Sequence, residues 1–376
     1  MHIIYPYNEI LPKRTAHDVY IFNNCVSLAK EGFQVELLCG KGSQNDGSIC
    51  EHYHVPNLYG MKTKHLPIVR KNNILSLSWN RVFLYFSQRV LQQEAPDVAI
   101  FSVLKQAYYH FRRKLPGVSY VYEAHQLAWY PHMALGAKKK EVELERSILR
   151  KADLVTVTTE ALRKILLEAP YSLDVPVEVV PLAVNVSELP PPLVSDGLPT
   201  VMYVGQLYKG QGIENLLNAM GKASTVRLEI VGGTETEIKN LKAYSVILGV
   251  SDRVYFHGFC SPSKLSSMVA HADAFVAPFE PEGRMPYVAH TKLLEYISWG
   301  RPVIAPDMPV VREHFPDGKG LMLFESGSTR GLADRLCEIS QPLVRDGLQK
   351  ESSENVGAYN WHARSKHYGE ILKNLF

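Results

Sequence analysis

Residues 279–306 read FEPEGRMPYVAHTKLLEYISWGRPVIAP. Pro281, Gly283 and Pro286 punctuate an irregular loop that delivers the chain to His290 and Thr291. From Thr291 the apolar spacing predicts a helix over 291–299, closed by Gly300 and followed by Pro302. The first amides of such a helix have no intrahelical acceptor and lie at the positive end of its dipole, so they suit a phosphate oxygen. Lys292 adds a full charge at that end. Glu295, roughly 5 Å further along the axis, is placed to accept hydrogen bonds from a ribose diol. The stretch therefore reads as a nucleotide-sugar site. An ordinary amphipathic helix, with Leu293, Leu294 and Ile297 as core and Lys292 and Glu295 as surface charges, is the competing reading.

The remaining sequence narrows the choice. At 376 residues the chain exceeds what one hydrophobic core usually supports, so two domains are expected. A composition of 46% hydrophobic and 21% charged residues is that of a globular protein. The opening MHIIYPYNEI lacks a basic region followed by an apolar core, and no apolar run approaches a membrane span. Five scattered cysteines, without CxxC or zinc-type Cys/His spacing, fit reduced thiols in the cytoplasm. Net charge is +3, unevenly spread: residues 1–184 hold 22 Lys+Arg against 17 Asp+Glu. Basic patches at 62–71, 112–114 and 138–140 would suit anionic lipid at the inner face of a membrane, with solvated surface as the alternative. The aromatic–basic interleaving of a nucleic-acid platform is not visible.

Short apolar strands alternate with helical patterns, the signature of parallel sheets covered by helices. Strands are predicted at 2–6, 34–39, 98–102, 119–124, 154–158 and 177–182, with helices near 16–31, 74–94 and 138–151. ELPPPLVSDGLP, residues 188–199, is Pro-rich and aperiodic and reads as a linker. The pattern then begins again, with strands at 200–204, 226–231, 254–256, 274–277 and 303–305. The expected architecture is α/β: two Rossmann-like doubly wound domains, 1–187 and 200–357, facing a cleft. A last segment, 358–376, would pack back on the first domain. Gly205, Gly232, Gly258 and the 281–291 loop all fall at strand carboxyl ends, where ligands of such sheets bind.

YVGQLYKGQGIENLL (203–217), EIVGG (229–233), RVYFHGF (253–259), DAFVAPF (273–279) and KLLEYISWGRPVIAPDMPVVRE (292–313) together resemble the donor half of glycosyltransferase family 4, which has the GT-B fold. VYEAHQL (121–127), VVPLAVN (179–185) and the ending YNWHARSKHYGEIL (359–372) are similar to that family's acceptor-side strand, crossover and last helix. The likeness covers nearly the whole chain, specific in the second half and weak before residue 118.

The resemblance implies a retaining, metal-independent transfer of a sugar from a UDP- or GDP-sugar to the hydroxyl of a glycan or lipid-linked glycan, in polysaccharide or other glycoconjugate biosynthesis. His125 would meet the donor sugar, with a structural histidine as the rival reading. Lys209 would reach the diphosphate, with Gly205, Gly210, Gly232 and Gly233 admitting the ligand or tight packing, and a solvated loop lysine as the alternative. Family members carry a basic residue where Gln206 stands and a lysine where Gln211 stands, so one cation reads as moved to Lys209 and one as missing. Of the family's two glutamates eight positions apart, Glu295 matches the second and Tyr287 occupies the first. Glu282 or Arg284 would contact the sugar, Phe259 and Cys260 would line the base pocket, and His290, Thr291 and Leu293 would contribute at the helix tip. No DxD-like acidic pair stands near the site, so no metal is expected. Two alternatives stay open: a catalytically silent homologue kept as a binding or scaffold subunit, and a GT-B sugar epimerase.

Overall fold

The computed structural model describes the chain apart from residues 14, 44, 54, 70–79, 131–138, 170–173, 187–196, 261, 316–317, 356 and 358. The linker read at 188–199 lies largely outside the described residues, as do parts of the 62–71 and 138–140 patches. The chain divides into two units, Met1–Ala183 with Trp361–Phe376, and Val184–Asn360.

The first unit begins β1 (His2–Ile10), α1 (Ala16–Lys30), β2 (Gln34–Gly40), α2 (Asp46–His52), β3 (Lys62–Leu66). It continues α3 (Arg81–Glu94), β4 (Val98–Phe101), α4 (Leu104–Phe111), β5 (Ser119–Ala124). It ends α5 (Lys139–Leu149), β6 (Leu154–Val157), α6 (Glu160–Leu167), β7 (Val177–Val179). The strands form one parallel sheet in the order β3-β2-β1-β4-β5-β6-β7. Strand β4 is buried at every position, as expected of a parallel strand covered by helices on both faces. The basic stretch beginning at Lys62 is in part an edge strand: Lys64 lies 3.0 Å from Glu94 and 3.8 Å from Glu36. The charge of Lys64 is matched within the fold, and a lysine on an edge also discourages pairing with another sheet.

The second unit repeats the plan with β8 (Thr200–Val204), α7 (Ile213–Met220), β9 (Arg227–Val231), α8 (Glu235–Ile247) and β10 (Val254–Gly258). Next come α9 (Pro262–Val269), β11 (Ala274–Val276), α10 (Thr291–Ser298), β12 (Val303–Pro306) and α11 (Pro309–His314). Strand β13 (Leu321–Phe324), α12 (Thr329–Glu338) and α13 (Pro342–Asn355) complete it. Its parallel sheet runs β10-β9-β8-β11-β12-β13, which is the 3-2-1-4-5-6 order of a dinucleotide-binding sheet. Both units are thus Rossmann-like. Val201, Tyr203, Leu228, Ile230 and Val276 from the strands pack with Leu216, Leu217 and Met220 of α7 in its core. A final helix, α14 (Trp361–Leu375), belongs to the first unit, where Tyr368 and Leu372 are fully buried.

Candidate functional site

In the second sheet the strand order reverses between β8 and β11, and a ligand of such a sheet sits outside the carboxyl ends at that reversal. Gly205 follows β8 there. Its amide donates to Val231 O at 2.9 Å, and the Gly232 amide donates to Gly258 O at 2.7 Å, so three strand ends are stitched side by side. A Cβ at Gly205 would lie 2.8 Å from the ammonium nitrogen of Lys292. The missing side chain is therefore the space in which Lys292 lies. Gly232 and Gly233 are needed for packing, since a Cβ would lie 2.2 Å from Gly205 O and 2.3 Å from a Leu207 methyl carbon, respectively. Gly210, by contrast, faces open space.

Helix α10 begins where the sequence places it. His290 is its extended N-cap but caps no amide with its side chain; the ring bonds Met285 O at 2.8 Å and stacks on Phe279 at 4.1 Å. Burial lowers its pKa to about 3, so the imidazole is neutral. Leu293, Leu294, Tyr296 and Ile297 are buried, and the Tyr296 hydroxyl accepts from Val204 N at 2.8 Å, pinning the helix to the end of β8. The Leu293 amide is already bonded to His290 O at 3.0 Å. The amides of Thr291 and Lys292 have no hydrogen-bond acceptor among the described residues.

The Lys292 ammonium donates to the Tyr203 hydroxyl and to Gln211 Oε1, both at 2.6 Å, and sits 3.9 Å above the Tyr203 ring. Tyr203 donates onward to Gln206 O at 2.5 Å. Every one of these partners is neutral. Burial accordingly pulls the Lys292 pKa down to about 7, opposed by Glu295. Glu295 itself is exposed; its backbone carbonyl accepts from Trp299 N at 3.0 Å and the Ser298 hydroxyl at 2.7 Å, while its carboxylate has no hydrogen bond among the described residues. The protein around it raises its carboxyl, with Lys292 opposing.

Lys209 is an exposed loop residue without a bonding partner among the described residues, and the ammonium that reaches the side chain at position 211 is that of Lys292. Gln206 is exposed, while Gln211 is buried. Tyr287, at the position of the family's first glutamate, is buried at 3% exposure. Glu282 and Arg284 are exposed loop residues, and their carbonyls accept from the Met285 and Tyr287 amides. Phe259 is 77% exposed, available to stack on a flat ligand and not packed. Cys260 lies against Met268, sulfur to sulfur, at 3.7 Å. Sequence reasoning overlooked Tyr203. Its place two residues before Gly205 was the available signal, but the strand pattern reads it as core.

In the first unit, His125 follows β5 with its side chain 26% exposed. Its ring meets Tyr20 edge-on at 4.5 Å and His17 at 5.9 Å, and its Nε2 lies 3.9 Å from the Glu123 carboxylate. Among the described residues no three His, Cys, Asp or Glu side chains gather as a metal-binding group.

Comparison with known proteins agrees with this fold. The model described as "Glycosyl transferase 4-like domain" matches residues 16–183, and the model described as "Glycosyl transferases group 1" matches residues 198–341. No curated protein sequence matches the chain. Among solved structures, sucrose-phosphate synthase from Thermosynechococcus elongatus superposes with a TM-score of 0.77 at 19% identity, covering 100% of this chain and 99% of that one. Anabaena Alr3699/HepE in complex with UDP gives 0.74 at 14% identity, with both chains covered in full. The lipopolysaccharide outer core galactosyltransferase WaaB gives 0.70 at 16%, again over both full chains. At these identities the likeness establishes the GT-B fold, and the two family matches, which between them take in most of the sequence, carry the assignment further: the chain belongs to the group 1, family 4-like glycosyltransferases.

Proposed function

We propose that the protein transfers a sugar from a nucleoside-diphosphate sugar to an acceptor hydroxyl with retention of anomeric configuration, and that no metal is needed. The observation that carries this is the Lys292 ammonium, held by neutral groups only, beside two unbonded amides at the tip of α10. A cation so placed favours an anion, and charge grows on the departing diphosphate as the glycosidic bond breaks. In the step itself the bond from the anomeric carbon to the β-phosphate oxygen breaks. The acceptor oxygen bonds to that carbon on the same face, and its proton passes to the released diphosphate. Glu295, open to solvent one turn along α10, accepts from the ribose diol. His125 serves the donor sugar, as the family resemblance implies. UDP is the favoured nucleotide, because Anabaena HepE is described in complex with UDP, with UDP and glucose, and with UDP-glucose.

Calorimetric titration with UDP and GDP, with and without chelator, tests the donor reading. Binding unaffected by chelator is expected, and loss of binding on chelation overturns metal independence. Proton NMR of the product's anomeric centre tests retention.

The acceptor reading is a glycan or lipid-linked glycan in glycoconjugate synthesis at the cytoplasmic face of a membrane. No helix among the described residues is long and apolar enough to cross a membrane. Helix α3 exposes Tyr85 and Phe86, and Arg89, Arg112 and Arg113 lie over the rings of Tyr85, Tyr108 and Tyr109. Aromatic rings with guanidinium groups suit the head-group level of an anionic bilayer. Sedimentation with phosphatidylglycerol vesicles should capture the protein at low salt, and the double variant Tyr85→Ser, Phe86→Ser should stay in solution. Equal capture by phosphatidylcholine would remove the electrostatic reading.

A further inference from the structure

Beneath His125 lies a charge cluster that the transfer chemistry above does not use. Glu123, on β5, is 2% exposed. Its carboxylate accepts from Tyr5 of β1 at 2.5 Å, and from Tyr20 and Asn24 of α1 at 3.1 and 3.4 Å. Two basic side chains flank it. Arg364, carried in by α14 and 3% exposed at its side chain, lies 3.8 Å from one oxygen, and His125 lies 3.9 Å from the other. The Arg364 guanidinium also donates to Asn24 Oδ1 and the Tyr20 hydroxyl and packs against the rings of Tyr20, Trp361 and Tyr368. His125 Nε2 is buried and makes no hydrogen bond.

A buried carboxylate is stable only when matched by cations and donors. An arginine is always charged, so Arg364 supplies a permanent cation beside one carboxylate oxygen, and the His125 ring faces the other. We propose that Glu123 is a positioning residue for His125, and that Arg364 governs it, so that the last helix of the chain sets the charge and orientation of an imidazole at the end of β5. For Glu123, burial alone would raise the carboxyl, but His125, Arg364 and the Tyr5 hydroxyl outweigh it and hold it below the ordinary carboxylate value. The other groups around the ring do not compete for its proton. Burial, with His125 adding to it, takes His17 down to about 4, and Tyr5, Tyr7, Tyr20 and Tyr368 are all held neutral by burial. Asp18 is bonded to the Tyr7 hydroxyl at 2.6 Å.

The functional importance of the relay rests on the reading of His125 given above, but its existence does not. The test uses the full chain labelled with 15N-histidine, in which the His125 signal reports the ratio of charged to neutral ring at a fixed pH near 7. Glu123→Gln keeps the side-chain shape and an acceptor for the two tyrosines while removing the charge. It should lower the ratio by about tenfold, the effect of losing one opposite charge at this distance. Arg364→Gln should move the ratio the other way, because the carboxylate then draws the proton onto the ring. Arg364→Lys should restore it. Opposite signs from two buried neighbours are not produced by loosened packing, and melting curves identify any variant that has not folded. Either folded variant decides alone. A ratio within twofold of wild type in either folded variant overturns the relay. If the ratio shifts as stated while His125→Ala leaves transfer intact, the relay stands and the functional reading of His125 falls.

Discussion

Lys292 is a cation with no carboxylate hydrogen-bonded to it, and its behaviour should show this. Removing it by Lys292→Met should cost about 1.5–3 kcal/mol of nucleoside-diphosphate binding, the worth of a charged hydrogen bond, or roughly tenfold to over a hundredfold in Kd. Titration calorimetry measures it. Gln211→Lys, which restores the family's residue, should fail to raise activity, because a second ammonium would replace the oxygen that Lys292 now bonds at 2.6 Å. Turnover should return only when Lys292→Gln is added, a coupling that a double-mutant cycle isolates. The pH dependence has a definite sign. With the free-protein pKa lowered from 10.5 to about 7, the ammonium loses its proton above pH 7, and a bound diphosphate favours its return. Affinity for UDP should therefore fall between pH 7 and 9, with one proton taken up on binding, and Lys292→Met should flatten the profile. For folding, the same lowered value means that protonation below pH 10.5 opposes the native state, fully so by about pH 7. A buried ammonium kept at this cost is consistent with a group that binds an anion. The sequence shows Lys292 and Glu295 at the start of a helix. It does not show that Lys292 bends back to Tyr203, because a contact across 89 positions leaves no periodic trace.

At the scale of elements, the position of α10 depends on two contacts. Tyr296 holds the helix to β8 through the Val204 amide and carbonyl, at 2.8 and 3.2 Å. Tyr296→Phe leaves that buried strand end unpaired and should cost about 1–3 kcal/mol in denaturant unfolding, with weaker donor binding as the helix tip loosens. Gly212 is the N-cap of α7 at φ 74°, and a Cβ there would lie 1.7 Å from Pro278 O. Gly212→Ala should cost about 3 kcal/mol or more, whereas Gly210→Ala, in open space but at φ 95°, should cost only about 1–2 kcal/mol from backbone strain. Thermal melts of the two variants test the difference. Most strands and helices were legible, since a parallel sheet writes itself as short apolar runs between amphipathic helices. Strand β3 was not, because an edge strand of Lys62, Thr63, Lys64 and His65 lacks the apolar run and reads as a basic patch. The Gly232 and Gly233 alternatives were likewise closed only by distances to Gly205 and Leu207.

At the scale of the whole molecule, Lys292 and the other groups proposed to hold the diphosphate all belong to Val184–Asn360. A fragment of that span should bind UDP within about tenfold of the full chain and transfer nothing, and His125→Ala in the full chain should lower transfer sharply with UDP affinity unchanged. Loss of UDP binding in a folded His125→Ala variant would move the ligand to the first unit. The sequence marks the return of the last helix only through family likeness. The pairing of Arg364 with Glu123 joins residues more than two hundred positions apart, beyond any local pattern.

That return has a consequence for biogenesis. Because α14 is part of the first unit, a ribosome finishes the second unit before it finishes the first. At roughly 5–20 residues per second, Glu123 waits on the order of tens of seconds for its arginine. Until then the nascent first unit carries a buried carboxylate without its permanent cation, and Tyr20 and Asn24 have no guanidinium to hold. A polypeptide stopped before Trp361 should accordingly be a chaperone client and a protease substrate in its first half while its second half resists digestion, because the first unit is complete only once α14 has been made.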